Sequence, residues 1–212
     1  MREAKLATET SMSDYKVLAE VGQSLINVLW QQIQADPDLF ALINDPTLIS
    51  LESPAEHQEN SSDPALLSVY LYRITEDPYM KNRPAVEGNG GRTRKPPMSL
   101  DLYYLITPLL KAPRDQQIVL GKILQILYDR STLEGSDLAG SLATSGEVVR
   151  VVFNTVPLQE VSWVWQALET PYRLSVTYTV RVTLLDSTEE QFQQRVLSQK
   201  NTYAPKAAPV AV

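Results

Sequence analysis

The stretch Tyr172–Asp186 (YRLSVTYTVRVTLLD) carries Tyr172, Leu174, Val176, Tyr178, Val180, Val182 and Leu184 at its even positions. Between them stand Arg173, Ser175, Thr177, Thr179, Arg181 and Thr183, all polar. Alternation of this kind over about thirteen residues marks a strand far longer than the usual five or six. One face has to be buried under helices. The other is a row of Thr, Ser and Arg too polar for a core, so the strand reads as a scaffold whose polar face meets something. It carries no chemistry of its own.

Working outward, the residues before this strand, Pro157 to Leu168, read as a helix bearing Val161, Val164, Trp165 and Leu168, stopped by Glu169-Thr-Pro171. Val148 to Val152 reads as a short strand, after a turn-rich connection from Gly135 to Gly146. Pro113 opens a helix to about Arg130, because proline fits the first turn and Val119, Leu120, Ile123, Leu124, Ile126 and Leu127 give a wide apolar stripe. Met98–Thr107 (MSLDLYYLIT) and Leu66–Thr75 (LLSVYLYRIT) read as two further strands. At the front, Asp14 is positioned to cap a helix carrying Leu18, Val21, Leu25, Val28, Leu29 and Ile33, ending near Ala35. Asp-Pro at residues 36, 45, 63 and 77 punctuates the first third with turns, since the residue before proline is pushed out of helical geometry. Strands and helices without strict β-α alternation favour α+β. The expected organisation is a polar N-terminus over 1–13, one domain over 14–186 with a long loop at 76–97, and an arm over 187–212. Ser187 and Glu190 have capping-box spacing, which predicts a short helix to about Gln199. The Pro/Ala-rich segment TYAPKAAPVAV then fits a tail ordered only by a partner.

Composition excludes several classes. The 212 residues are 43% apolar and 21% charged, ordinary for one globular domain. There is no run of eighteen apolar residues and no apolar core in the first sixteen, which argues against membrane insertion and a secretory signal and makes cytoplasmic assembly the default. A net charge of -6 argues against general nucleic-acid binding, which depends on neutralising phosphates. With zero cysteines there are no disulfides, thiolate nucleophiles or zinc-thiolate sites.

The catalytic inventory is nearly empty, and no catalytic residue, cofactor or metal site is assigned. His57, the one histidine, lies among turn residues and reads as a solvated loop imidazole. Gly88-Asn89-Gly90-Gly91 lacks the strand-before, helix-after context of a phosphate loop. Asp101 sits inside a strand, where pairing with Arg181 or Arg173 explains it better than acid-base chemistry. The best candidate functional elements are contact residues. In an acidic chain, the loop holding Lys81, Arg83, Arg92, Arg94 and Lys95 is a locally basic arm suited to an acidic groove of a protein partner. Trp163, two residues from a core Trp165, points to a different face and reads as an exposed contact. Arg173 and Arg181 lie on the polar side of the long strand.

Taken in order, SDYKVL, SVYLYRI, PPMSLDLYYLITP, QQIVLGKILQILYDR, VSWVWQAL and TPYRLSVTYTVRVTLLDS make the chain resemble the tube-terminator, or cap, proteins of phage-tail-like contractile injection systems of the antifeeding-prophage type. The likeness covers Asp14 to Asp186. LDLYYLITP and the segment from Trp165 to Tyr178 are its most specific pieces, and none is a catalytic signature. The resemblance implies a tail-terminator-like α+β fold with a mainly antiparallel sheet and helices packed on one face. It also implies a six-fold homo-hexameric ring, with the inner tube and the sheath as partners. Some members carry a further C-terminal domain, which residues 187–212 are too short to form. The alternatives are a neck or sheath-adaptor ring of the same machinery, or a small carboxylate-based enzyme or ligand-binding protein. A deep pocket holding Asp101 and a second acid favours the last.

Overall fold

The computed structural model describes residues 15–57, 65–80, 86–87, 92–185 and 190–192. Helix α1 (Val17–Gln34) begins after Lys16, so the expected Asp14 cap lies outside the described residues. Its apolar positions Val21, Leu25, Val28, Leu29 and Ile33 are all buried. Each contributes about 1.5–3 kcal/mol relative to exposure. The Asp-Pro pairs act as caps: the Asp36 carboxylate accepts from the N–H groups of Asp38 and Leu39 to start α2 (Pro37–Phe40). Asp45 does the same for a 3-10 turn at Pro46–Leu48.

The main sheet has six strands: β1 (Ile49–Ser50), β2 (Leu67–Glu76), β5 (Met98–Pro108), β6 (Thr132–Glu134), β7 (Val148–Phe153) and β8 (Val176–Leu185). Their order is β1-β2-β5-β8-β7-β6. Only β1 and β2 run parallel. The fold is a mixed α+β architecture built on a mostly antiparallel sheet. The alternating segment enters the ladder at Val176, four residues later than the alternation begins, with β5 on one side and β7 on the other. The inner face of the sheet holds Val69, Leu102, Tyr104, Ile106, Val151, Tyr178 and Val180, which join α1 and α3 (Pro113–Asp129) in one core.

A second, three-stranded sheet has the order β3 (Val86–Glu87), β4 (Arg92–Arg94), β9 (Glu190–Phe192). Arg94 pairs with Glu190 in this sheet, and Met98 with Leu185 in the first. Two expectations change here. The long loop contains strands, and residues 190–192 are a strand rather than the start of a helix. Local capping spacing lost to a cross-strand ladder that a helix at this position would forgo.

Helix α4 (Leu158–Ala167) has one buried residue, Trp165, which is not part of the core that α1 and α3 share. It faces Leu105 and Thr177, directly paired residues on the outer side of the sheet. Helices therefore flank both faces, and the polar face of the long strand is partly covered.

Candidate partner interface

The outer face is set by register, because residues directly opposite in a ladder share a face. One row reads Thr75, Asp101, Arg181, Arg150, Thr132 across β2, β5, β8, β7 and β6. The next reads Arg73, Tyr103, Thr179, Val152. The Arg181 Nε donates to Asp101 Oδ1 at 3.2 Å, and Asp101 is nearly buried while Arg181 remains half exposed. This is the pairing anticipated for Asp101. The Arg73 guanidinium lies over the Tyr103 ring, 5.1 Å from its centroid. Tyr72 meets the same ring edge-on at 6.2 Å. Burial raises the Tyr72 hydroxyl pKa, and the neighbouring Arg73 charge opposes the rise.

Arg73 and Arg150 were not anticipated from the sequence. Arg73 shares the parity of Leu67, Val69 and Leu71 and so reads as inward-facing. The ladder shows why it is not: Leu71 pairs with Tyr104 but Arg73 pairs with Tyr103, so β2 carries one extra residue at Tyr72. That bulge turns Arg73 to the outer face.

Only Trp165 of α4 is buried, packed edge-on against Tyr172 at 6.1 Å. Trp163, as expected from its spacing, is exposed, at 57% of its full area, and Leu158 stands at 66%. Exposed apolar side chains also occupy the segments flanking α4: Val152, Phe153, Tyr172 and Leu174. Between α4 and the sheet lies a cleft of about 410 Å³ lined by Tyr72, Leu105, Val156, Val161, Trp163 and Val164, with Arg73 and Glu160 as its charged groups. Helices that finish their packing bury a stripe rather than one residue, so α4 has the surface of an element that meets a partner.

The remaining expected contacts are dispersed. Arg173 is half-buried in the segment leading into β8. Arg92 and Arg94 lie on β4 and Lys95 is exposed just after it, whereas Lys81 and Arg83 fall outside the described residues. Of the expected set, then, Trp163 and Arg181 come to the outer face, where Arg73 and Arg150 join them.

His57 is corrected. Its side chain is only 6% exposed, and its Nε2 lies 3.3 Å from a Glu52 carboxylate oxygen, in a turn where the Ala55 N–H donates to the Ser53 hydroxyl. Asp101, for its part, is engaged with Arg181 and is not among the residues lining the cleft. No group of three or more His, Asp or Glu side chains able to hold a metal occurs among the described residues, and none of the described helices is long and apolar enough to cross a membrane.

A family profile, the Pvc16 N-terminal domain, matches residues 20–199. No curated protein sequence matches significantly. Among solved structures, the chain is similar to the sheath/tube terminator of the PVC extracellular contractile injection system in its extended state, with 20% identity and a TM-score of 0.55. That alignment covers 92% of this chain and 65% of the other. It is likewise similar to the tube-terminating cap of the anti-feeding prophage, with 23% identity, a TM-score of 0.55, and coverage of 90% and 63%. The chain thus spans a little under two thirds of the length of each structure it matches.

Proposed function

Because the chain belongs to the Pvc16 N-terminal domain family, we propose that it is a terminator, a structural ring that caps the inner tube and engages the last sheath layer of a phage-tail-like contractile injection system. The likeness to two terminator structures over 90% or more of this chain supports the reading. The observation on the molecule itself that carries it is α4, a helix with one buried residue beside an outer sheet face studded with Arg73, Arg150 and Arg181.

A tube elongates by head-to-tail stacking, a contact that never closes along the axis. A terminator needs one surface complementary to the tube end and another that does not template the next layer. The α4 side supplies an apolar surface for a neighbouring copy. The arginine row and the basic β4 strand supply charged contacts for tube or sheath, the partners this reading assigns. Six copies in the ring, and assembly in the cytoplasm, follow from the same proposal, with no catalytic step or cofactor involved.

The test is polymerisation of the cognate tube protein with and without this chain, with tube length and end structure scored by electron microscopy. Shorter tubes, closed at one end by an added layer, are expected. Unchanged lengths and bare ends contradict the proposal. A neck or sheath-adaptor ring is separated from it by where the chain is found on the particle.

A further inference from the structure

Helix α3 buries one side and leaves the other bare. On the bare side Arg114, Gly121 and Tyr128 follow one another at seven-residue spacing, so they lie close to one line along the helix. Gly121 is flanked on that surface by the exposed Ile118 and Leu124, and a Cβ added to it would meet nothing within 4 Å. It is the floor of an open notch. Glycine inside a helix lowers stability relative to alanine, and no described atom of the chain comes close enough to require it. A second local cost stands at the end of α4. Glu169 adopts φ +53, where glycine is the usual residue, while the N–H groups of Glu169 and Thr170 donate to the Gln166 and Trp165 carbonyls. A side chain kept in such a conformation points to a use for it. Glu160 and Glu169 are the charged side chains of 158–169, both exposed, with the exposed Trp163 between them in sequence.

We propose that α4 of one copy packs on the bare stripe of α3 in the next, with the Trp163 ring seated in the Gly121 notch. This deepens the ring reading above and rests on it. The sheet separates the two surfaces, since α3 joins the core on its inner face and α4 covers Leu105 and Thr177 on its outer face. A chain therefore cannot close this contact on itself. Because the two surfaces differ, the contact is head-to-tail, the kind that generates rings. Charge fixes the direction. With Trp163 over Gly121, Glu169 lies six residues along α4, roughly 9 Å, and Arg114 seven residues along α3, roughly 10 Å. Antiparallel helices bring that carboxylate to Arg114 and the exposed Lys111, at the positive end of α3. Parallel helices carry it instead toward the exposed Asp129.

The chain has no cysteine, so disulfide trapping in the full-length protein is unambiguous. Copies bearing Gln166→Cys on α4 are mixed with differently tagged copies bearing Gln117→Cys on α3 and oxidised. Gln31→Cys, on exposed α1 surface, replaces Gln117→Cys as the control. The expected result is a mixed disulfide dimer well above the control. Glu169→Arg lowers its yield about fivefold, and Arg114→Glu on the other copy restores it. Gly121→Gln tests the notch itself. Glutamine is a good helix former, so the dilute variant melts about 2 °C higher, yet its side chain fills the notch and the yield falls to the control. Yield no higher than the control, or unmoved by the charge reversals or by Gly121→Gln, overturns the proposal. So does a lower melting temperature for Gly121→Gln, which would give the glycine a role within its own chain. No tube is needed, so failure here leaves the capping reading untouched, and failure to cap leaves this result standing.

Discussion

Arg150 and Arg181 stand directly opposite each other across the β7–β8 ladder, and of the two it is Arg181 that is ion-paired with Asp101. Like charges so placed are destabilising by about 0.2–1 kcal/mol. Arg181 is kept by its pairing with the nearly buried Asp101, so the cost of the like-charge pair falls on keeping Arg150 opposite it. Arg150→Thr is therefore expected to raise the melting temperature slightly while weakening attachment to tube or sheath, an effect that added salt would mimic. Thermal melts and a capping assay on one preparation decide it. A lower melting temperature with full capping removes the row from the interface.

Trp163 and Trp165 make a second, opposed pair. Trp163→Ala deletes an exposed ring, so thermal stability should change by less than about 0.5 kcal/mol while capping is impaired. Trp165→Ala removes the only buried residue of α4, a loss of about 3–5 kcal/mol in a well-packed site. A helix held by one anchor cannot absorb that. Amide hydrogen exchange over residues 158–168 should accelerate sharply, with protection of β5 and β8 retained. Equal exchange in the two variants would remove the anchor role.

Glu20 ties α1 to the 3-10 turn at Gly140–Thr144. Its carboxylate accepts from the Ser141 N–H and hydroxyl and from the Leu142 N–H. Burial alone would raise its pKa, but the hydrogen bonds from Ser141 and Leu142 outweigh it and hold the group below its ordinary 4.5. A carboxylate depressed in the folded state contributes stability above the unfolded value and loses it as pH falls through the folded one. Glu20→Gln should thus cost about 1–2 kcal/mol at neutral pH, with the gap to the native chain narrowing below pH 4.5. Gly140, at φ +60, sits so close that an added Cβ would strike the same carboxylate. Gly140→Ala should cost about 1–3 kcal/mol at any pH. Denaturant melts across pH 3–7 read both.

The arm is separable from the core. Deleting Glu87–Lys95 removes β4 and the ladder it makes with β9, and leaves the six-stranded sheet intact. The melting temperature is expected to stay within a few degrees while capping falls. Collapse of the main transition would place the arm in the folding unit, and unaltered capping would remove it from the interface.

The sequence reveals the long amphipathic strands and helices because single-residue periodicity encodes them. The alternation from Tyr178 to Val182 and most of the α1 and α3 stripes become buried faces, whereas Tyr172, Leu174 and Leu124 of the expected apolar sets are exposed. What it hides depends on pairing between distant residues. The bulge at Tyr72 reverses the facing of Arg73, and no local pattern announces an extra residue. The short β3, β4 and β9 hold no periodicity to read: β3 pairs with β4 only a few residues away, and β4 is joined to β9 across nearly a hundred residues of chain. The exposure of Trp163 was legible from its two-residue offset. The arginine row was not, since it forms only when β2, β5, β8 and β7 lie in register.

The most direct measurement is electron microscopy of particles assembled in cells with and without this chain, scoring sheath and tube lengths and the end layer. Terminator function predicts that particles lacking it have irregular lengths, or are few, and show no defined end layer, and that the full chain restores both. Particles of normal length with an unchanged end layer would contradict it.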